Sequence, residues 1–432
     1  MSKILLDYLF PITAISPTPQ ASTAFLKQAL IVVKPKVGVD PGEITVATSM
    51  AQVTALTDNT EAQQLFNAGM NRVHVLPADD LDLAAFLEGH ESEFYTVLIS
   101  SDFVDADIID AAADGAATVT SYANLLTGTP DTFAVAGVTF TAQAGAATLG
   151  SAFFQAATSN DATAASLAAQ INAHATAKEL VTATAVGAVV TIVANDTGFA
   201  GNDIAVAYTD NGANIGITLA GLSGGKLAGG AGLSLGQFDG VVGVSSTSDS
   251  FLADQAAIEK RAAFHTTTGT KAKNMFFAFG KMLANSLNWA NQQYITMPFG
   301  DDVDTLGEAN ALFDDKISHV IEDSEFGKRL SLFAAGGKAI TAPYITRNLE
   351  VDMQSRALSY ISGNQPTYSM TQGALIEDEL QKVIDSYILR QWIERGKVEI
   401  KLEQENFVAS GYINISEPKA LWRIFGEIRQ TL

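Results

Sequence analysis

One serine of the chain stands in a pattern that hydrolases use for catalysis. The segment 221–225 (GLSGG) matches G-x-S-x-G, in which a sharp turn between a strand and a helix exposes the serine as a nucleophile. Here the segment lies in a stretch rich in glycine and alanine, which is typical of a linker and not of a strand-turn-helix unit. We therefore interpret Ser223 as a linker residue and predict no catalytic residue in the chain.

The residue types that bind metals are isolated from one another. None of the five histidines stands in an H-x-x-x-H or H-E-x-x-H spacing, and the absence of cysteine excludes thiolate zinc sites, iron–sulfur clusters and disulfides. Alternating aspartates begin at Asp102, but they lack the mid-turn glycine of a calcium loop and have Ala113 where that loop has its terminal glutamate. We interpret them as charges at a helix start and predict no metal site.

Glycine-rich loops with the spacing needed to hold phosphate groups are missing as well. The segment 229–232 (GGAG) does not extend into G-x-G-x-x-G between a strand and a helix, and Gly225-Lys226 is followed by Leu227 instead of serine or threonine. The residues thus indicate no cofactor. In a chain of 432 residues this favours a structural role, with an α/β enzyme as the least favoured alternative.

The chain is strongly acidic, and the acidity is uneven. It carries 26 Lys and Arg against 47 Asp and Glu, a formal net charge of -21. Residues 1–253 hold 7 basic and 24 acidic side chains, whereas residues 254–432 hold 19 and 23. Because a surface of this sign repels nucleic acid and anionic lipid, we expect neither nucleic acid nor membrane among the partners.

The first twenty residues read as an extended arm. An apolar stretch is interrupted by Asp7 and ends at Pro11, and Pro17 and Pro19 follow, so the segment is neither a signal peptide nor a stable helix. No window of the chain approaches the length of an apolar membrane span. We expect a soluble protein made in a reducing cytoplasm, with an arm whose apolar side chains need a partner surface.

Beyond the arm, short apolar runs alternate with helical segments, which favours an α/β sheet with helices packed on it. The sequence predicts a core over residues 21–116 and 233–372. Its predicted strands cover residues 29–33, 73–76, 95–100, 274–279 and 293–297, and its predicted helices cover residues 61–67, 81–87 and 280–289. Residues 329–345 are predicted as mixed apolar strand that turns at Gly336-Gly337.

Residues 117–232 break the composition and are predicted to form a small β-rich module. Residues 117–231 contain two lysines, six acidic residues and no Arg, Met or Trp. Strands are predicted at 132–135, 138–142, 181–186, 189–194 and 204–208, with a helix over 162–174 that Asp161 caps. The glycine-rich exit from residue 221 is predicted to be a flexible linker.

A weak similarity between two segments of the chain indicates that the module is inserted into the core. Residues 95–101 (YTVLISS) and 240–246 (GVVGVSS) are both followed by a helix that starts with acidic residues. The same kind of strand, serine turn and helix therefore resumes after the module.

The C-terminal region, residues 373–432, is predicted to contain a helix, a strand and a second arm. Residues 371–395 show the strongest helical pattern of the chain, with a broad apolar face and Glu377 among the acidic residues of its early turns. Val398, Ile400 and Leu402 then alternate with charged residues as in a strand. The terminal apolar stretch fits either a helix or a strand.

This order of parts resembles the contractile tail sheath proteins of bacteriophages. The similarity is greatest over residues 238–246 (FDGVVGVSS) and from Gly373 to Leu432. Separately, residues 133–142, 164–172 and 181–192 are similar to a small module that recurs in phage tail and capsid proteins. The fold class expected is α/β (α+β) multidomain, a sheath-type core with an inserted β-rich module and extended terminal arms.

The resemblance implies a non-enzymatic virion subunit, assembled in the host cytoplasm, that forms hexameric rings stacked helically into the tail. Its implied partners are other copies of itself, the tail tube protein, and the baseplate and tail terminator proteins. Contraction of the sleeve would drive the tube through the host envelope for genome ejection. The alternative is another self-assembling tail, decoration or surface-layer protein.

The resemblance also implies that the arms add strands to the sheets of neighbouring subunits, which apolar ends without local burial would suit. The residues predicted to make these contacts are Ile4, Leu5, Leu6, Tyr8, Leu9, Phe10, Tyr412, Ile413, Ile415, Leu421, Trp422, Ile424, Phe425 and Ile428.

Overall fold

The computed structural model describes residues 24–90, 93–156, 158–212, 214–284, 295–300, 303, 305–323, 327–364, 370–390, 392–403 and 408–416. The structure combines many helices with strands that form several sheets, which confirms the predicted α/β multidomain class. Among the described residues, no helix has the length and apolar character needed to cross a membrane.

The strands, in chain order, are β1 (Ala29–Val33), β2 (Thr45–Ala47), β3 (Val73–Pro77), β4 (Thr96–Ile99), β5 (Ala112–Val119), β6 (Thr132–Val135), β7 (Val138–Gln143), β8 (Phe153–Gln155), β9 (Val181–Val186), β10 (Val189–Thr197), β11 (Val206–Thr209), β12 (Ile217–Ala220), β13 (Leu222–Ser223), β14 (Lys226–Leu227), β15 (Val241–Ser246), β16 (Arg261–His265), β17 (His319–Asp323), β18 (Gly327–Leu332), β19 (Ala334–Ala335), β20 (Lys338–Ala339), β21 (Arg395–Glu403) and β22 (Val408–Ser416).

The α-helices are α1 (Met50–Leu56), α2 (Gln63–Asn67), α3 (Ala84–Leu87), α4 (Asp105–Ile108), α5 (Asn160–Ala173), α6 (Ala177–Leu180), α7 (Asp249–Ala256), α8 (Lys273–Ala284), α9 (Leu306–Asp314), α10 (Thr341–Asn364) and α11 (Met370–Leu389). Short 3-10 helices span Ala24–Lys27, Asn124–Leu126 and Phe199–Asp203.

The chain divides into two compact units. The first comprises residues 1–79, 86–103 and 237–432, and the second comprises residues 80–85 and 104–236. The first unit is built on a six-stranded sheet in the order β16-β15-β4-β1-β3-β2, parallel except for β2. Every residue of β1, β3 and β4 is buried, as expected for parallel strands covered on both faces.

The chain leaves this sheet after β4 and returns to it as the neighbouring strand β15. The two strands pair in parallel, with Val241 opposite Thr96 and Val242 opposite Val97. Each is followed by a helix with an aspartate at its first residue, Asp105 in α4 and Asp249 in α7. Residues 104–236 of the second unit lie between these strands in the sequence, and the two similar segments 95–101 and 240–246 form adjacent strands of one sheet.

The second unit contains two four-stranded sheets, β12-β5-β10-β9 and β11-β6-β7-β8, and the helix α5. Its longer segment begins at Val104, whereas the module was predicted from residue 117, and it includes β5, which pairs with both β10 and β12. Ser159 caps α5 by accepting a hydrogen bond from the Ala162 N–H at 3.1 Å, so the predicted cap, Asp161, lies in the first turn instead.

The glycine-rich exit of the second unit is ordered, contrary to its prediction as a flexible linker. Strands β13 and β14 pair in a hairpin whose turn consists of Gly224 and Gly225. Both glycines have positive φ, 60° and 80°, as a tight type I′ turn requires. Leu227 is fully buried, which attaches the hairpin to the core of the unit.

Two apolar segments of the first unit form helices where strands were predicted. Residues 274–279 belong to α8, and Tyr344 and Ile345 belong to α10. Phe276 and Phe279 are fully buried. A short apolar run that is buried all round does not distinguish a strand from a buried helix by periodicity. Residues 285–294, which include parts of the helix predicted over 280–289 and the strand predicted over 293–297, lie outside the described residues.

Candidate assembly site

The last described residues of the first unit form a long two-stranded hairpin. Strands β21 and β22 pair antiparallel at nine consecutive positions, from Arg395 opposite Ser416 to Glu403 opposite Val408. Within the described part of the chain, neither strand pairs with a third. The predicted strand over residues 398–402 is therefore present, and residues 411–415, which the sequence left open between helix and strand, are a strand.

Helix α11 ends before the predicted residue 395. The Trp392 N–H donates to the Tyr387 carbonyl at 3.0 Å, and the Arg390 N–H donates to the Ser386 carbonyl at 3.2 Å. A bond that closes over five residues is the type that terminates a helix and reverses the chain. The chain thus turns from α11 into β21 within a few residues.

Apolar side chains attach β21 to the body of the unit. Val398 is 2% exposed and belongs to the same hydrophobic core as Leu380 and Ile384 of α11, and Ile400 packs against that core. At roughly 25 cal/mol per Å² of apolar surface, burial of Val398 and Ile400 stabilises this arrangement by a few kcal/mol. These contacts attach β21 to the core of the first unit.

Two polar side chains of α11 also bond to the backbone of β21. The Gln381 side chain accepts a hydrogen bond from the Val398 N–H at 3.0 Å and donates one to the Gly396 carbonyl at 3.2 Å. The Ile400 N–H donates to Glu377 Oε2 at 3.0 Å. The sequence did not indicate these contacts, since Glu377 stood out only as an acidic residue in the early turns of the helix.

A buried polar cluster joins α11 to α10. Tyr387 is fully buried, donates its hydroxyl hydrogen to Asp352 Oδ2 at 2.7 Å and accepts a hydrogen bond from the Asn348 side chain. Burial, together with the bond to Asp352, raises the pKa of Tyr387 well above its ordinary value. The phenol thus stays neutral and holds the helix that carries the hairpin.

Charged side chains reinforce the same helix pair at its surface. Lys382 lies 2.8 Å from both Asp378 and Glu379, and Arg356 of α10 pairs with Glu379. Hydrogen bonds from Lys382 and Arg356 lower the pKa of Glu379, and those to Asp378 and Glu379 raise the pKa of Lys382. Because these groups are solvated, the network contributes little to stability.

The predicted contact residues are only partly within the described chain. Tyr412, Ile413 and Ile415 lie in β22, where they stand opposite Glu399, Val398 and Gly396. The predicted residues of both arms, Ile4 to Phe10 and Leu421 to Ile428, lie outside the described residues. The assembly site at the chain ends therefore remains a prediction.

The residues that the sequence analysis considered for catalysis or metal binding have structural roles where the structure describes them. Ser223 is exposed in β13 and pairs with Lys226 across the hairpin, not between a strand and a helix. Asp107 accepts a hydrogen bond from the Val104 N–H at 2.9 Å, as a residue at a helix start does. No group of three or more histidines or carboxylates in the described segments could hold a metal ion.

Comparison with known proteins gives matches to solved structures alone, since no family model and no curated protein matches the chain. A chain of the anti-feeding prophage baseplate is 11% identical with a TM-score of 0.48, covering 96% of this chain and 95% of that one. A chain of the contracted helical sheath of the same prophage is 12% identical with a TM-score of 0.44, covering 97% and 99%.

The sheath tail protein of Desulfitobacterium hafniense is 10% identical with a TM-score of 0.35, covering 93% of this chain and 99% of that one. Two of these structures are of sheath proteins, and the other is of a baseplate.

Proposed function

We propose that the chain is the structural subunit of a phage-type contractile tail sheath, which polymerises around the tail tube and shortens to drive it through the host envelope. One observation carries the proposal: the first unit ends in a nine-position hairpin that pairs with no third strand among the described residues. The sequence adds two apolar ends that could supply the missing strands.

The partners proposed are copies of the chain in helically stacked hexameric rings, the tail tube protein, and the baseplate and tail terminator proteins. The distribution of charge supports an assembly role for the C-terminal region, which holds 19 of the 26 basic residues in an otherwise acidic protein. Because identical subunits with a charge of -21 repel one another, contacts between them need a region where charges of both signs are interspersed. The role proposed is non-catalytic, in the virion tail, after assembly in the host cytoplasm.

Negative-stain electron microscopy of the purified full-length protein at increasing concentration tests this proposal. We expect striated tubes or rings with a lumen wide enough to hold a tail tube. A protein that stays monomeric at high concentration and in the presence of tube protein would contradict the sheath assignment. Narrow tubes without a lumen of that width would indicate a tube subunit instead.

A further inference from the structure

One arginine of the first unit is buried. Arg347 of α10 is 7% exposed, and no other lysine or arginine is buried among the residues whose side chains the structure describes. Burial of a charged group costs free energy unless its hydrogen-bonding groups find partners. The surroundings of Arg347 therefore indicate what this side chain is placed to bind.

Two contacts position the guanidinium group of Arg347. Its Cζ lies 6.0 Å from the ring centroid of Phe25, and its Nη1 donates to Glu350 Oε2 at 2.9 Å. An arginine carries five N–H donors in a rigid planar fork. Among the described residues, Glu350 is the only hydrogen-bond acceptor of this group. The other N–H donors are thus left for water or a ligand.

Arg347 lines a cavity of about 110 Å³ within the first unit. Tyr95, which also lines it, is 4% exposed, whereas the lining residues Glu259 and Lys338 are exposed, so solvent reaches the rim of the cavity. Pockets for cofactors and drug-sized molecules measure roughly 300–1,000 Å³. This cavity therefore has room for a small chemical group alone.

Close packing of the backbone fixes one wall of the cavity. Gly336, in the turn between β19 and β20, has a φ of 54°, and a Cβ at this position would lie 2.9 Å from both the Glu259 Cα and the Lys260 nitrogen. The Gly336 N–H donates to the Arg261 carbonyl at 2.9 Å. A glycine is required here, because any side chain would separate the two segments. The cavity is thus formed before a ligand enters.

The charged groups of the cavity favour a ligand with one negative charge. Three cationic side chains and two carboxylates line it, namely Arg347, Lys260, Lys338, Glu259 and Glu350. Lys260 also pairs with Asp239 at 2.6 Å. Burial raises the pKa of Tyr95 well above its ordinary value, so the phenol adds no charge. The N–H donors of the arginine suit an oxyanion, whereas the carboxylates of the lining repel a second negative charge.

We propose that this cavity binds a single carboxylate group, which the planar fork of Arg347 holds. A carboxylate carries one charge and accepts two parallel hydrogen bonds from an arginine. The group belongs either to a small organic acid in solution or to an acidic side chain of another copy of the chain. The proposal does not depend on the assembly role, since a small acid would bind to a single subunit.

Binding of acetate to the full-length protein tests the proposal. Saturation transfer from the protein to the acetate methyl group measures binding, at an ionic strength kept constant with chloride. We expect a saturable signal that Arg347→Lys reduces at least about fivefold, because an ammonium lacks the planar fork. Arg356→Lys is the matched control, since Arg356 lies on the same helix and pairs with Glu379 at the surface. Equal signals in the two variants would overturn the proposal.

A second pair of variants leaves the buried arginine in place. Glu259→Gln removes an exposed carboxylate from the lining and should strengthen acetate binding about threefold, as the loss of a nearby like charge does. Glu88→Gln makes the same change at an exposed position outside the lining and should leave the affinity unchanged. Equal affinities in these two variants would overturn the proposal even if Arg347→Lys does not fold. Displacement of acetate by an equal concentration of inorganic phosphate at mildly alkaline pH would overturn the preference for one charge.

Cross-linking of mixed isotopes identifies the source of the carboxylate. Equal amounts of isotope-labelled and unlabelled full-length chain are treated with a carbodiimide, which joins a lysine such as Lys338 to a carboxylate at ion-pair distance. A linked pair of peptides with one label, lost when acetate is added, would assign the group to an acidic side chain of another copy. Acetate binding without such a pair would assign the cavity to a small organic acid. Absence of both acetate binding and the linked pair would overturn the proposal.

Discussion

The hydroxyl groups of Thr96 and Tyr344 lie 2.6 Å apart in the interior of the first unit, where both side chains are almost fully buried. Thr96 begins β4, the strand from which the chain leaves the sheet, and Tyr344 lies in the first turn of α10. This hydrogen bond joins the central sheet to the helix pair that supports the hairpin. Tyr95, directly before β4, also packs edge-on against Tyr344, with ring centroids 5.2 Å apart.

Tyr344→Phe should destabilise the first unit by ~1–2 kcal/mol, because it leaves the buried hydroxyl of Thr96 without this partner. Urea unfolding followed by tryptophan fluorescence measures the loss. The double variant T96V/Y344F removes both hydroxyls and should recover most of the stability. A double variant that is less stable than Tyr344→Phe alone would show that the bond is not the cause.

Acid should weaken the first unit through His74. This histidine is 2% exposed in β3, neither ring nitrogen has a hydrogen-bond partner among the described residues, and the carboxylate of Glu93 lies 3.6 Å from Nδ1. Burial lowers its pKa below the ordinary 6.5, so the folded state favours the neutral ring. The stability that His74 contributes is therefore complete above pH 6.5 and is lost as the pH falls through its folded pKa.

The measurement for His74 is the urea midpoint as a function of pH between neutral and mildly acidic conditions. His74→Gln should flatten the acid decline, whereas His90→Gln, at a ring that is partly exposed, should leave it in place. An unchanged decline in His74→Gln would exclude this residue as its source.

Excision of the second unit should leave a folded and assembling first unit if the cut respects the strand pairing. Replacing residues 104–236 with a Gly/Ser bridge keeps β4 and β15 as neighbours if the whole connection has about a dozen residues or more, because parallel strands need a crossover of that length. Replacing residues 117–231 is the matched comparison, because it retains a fragment of β5 without its partners β10 and β12. We expect the first deletion to be soluble and to form tubes, and the second to aggregate. Loss of tubes in a folded 104–236 deletion would show that the module contributes to assembly.

Removal of residues 1–20 should leave a folded subunit that no longer polymerises, because an apolar stretch interrupted by Asp7 and followed by Pro11, Pro17 and Pro19 is typical of an extended arm. Circular dichroism and thermal unfolding check the fold, and sedimentation checks assembly. A C-terminal truncation should be placed after Ser416, since a cut after Ser410 would remove most of β22. Unfolding of the protein without residues 1–20 would contradict the interpretation of this segment as an arm.

The sequence alone located the helices and strands that have a clear local pattern of apolar and polar residues. The strands at residues 29–33 and 73–77 consist mainly of buried apolar residues bounded by polar ones, and the helix ending at Leu389 has a broad apolar face. Strand β5 was missed because Ala112 to Val119 is mainly alanine, glycine and aspartate, which have little preference for strands. Its place depends on pairing with strands far away in the sequence.

The candidate site could likewise be predicted from the sequence only where a local pattern exists. The strand character of β21 follows from the alternation of Val398 and Ile400 with charged residues, but its contacts with Gln381 depend on how the chain turns after α11. A glutamine in the middle of a helix has no local pattern that distinguishes it from a solvated one. These contacts could therefore be recognised only in three dimensions.

The separation of β4 from β15 in the sequence bears on how the protein folds during synthesis. About 140 residues lie between Ile99 and Val241, and a ribosome that adds ~5–20 residues per second needs roughly ten seconds or more to make them. During that interval the edge of β4 that later pairs with β15 has no native partner. The second unit can fold in the same interval. Its folding shortens the flexible loop between β4 and β15 and so lowers the entropic cost of pairing the two strands. Co-translational folding of the inserted unit would thus limit aggregation of a nascent chain whose sheet is still incomplete.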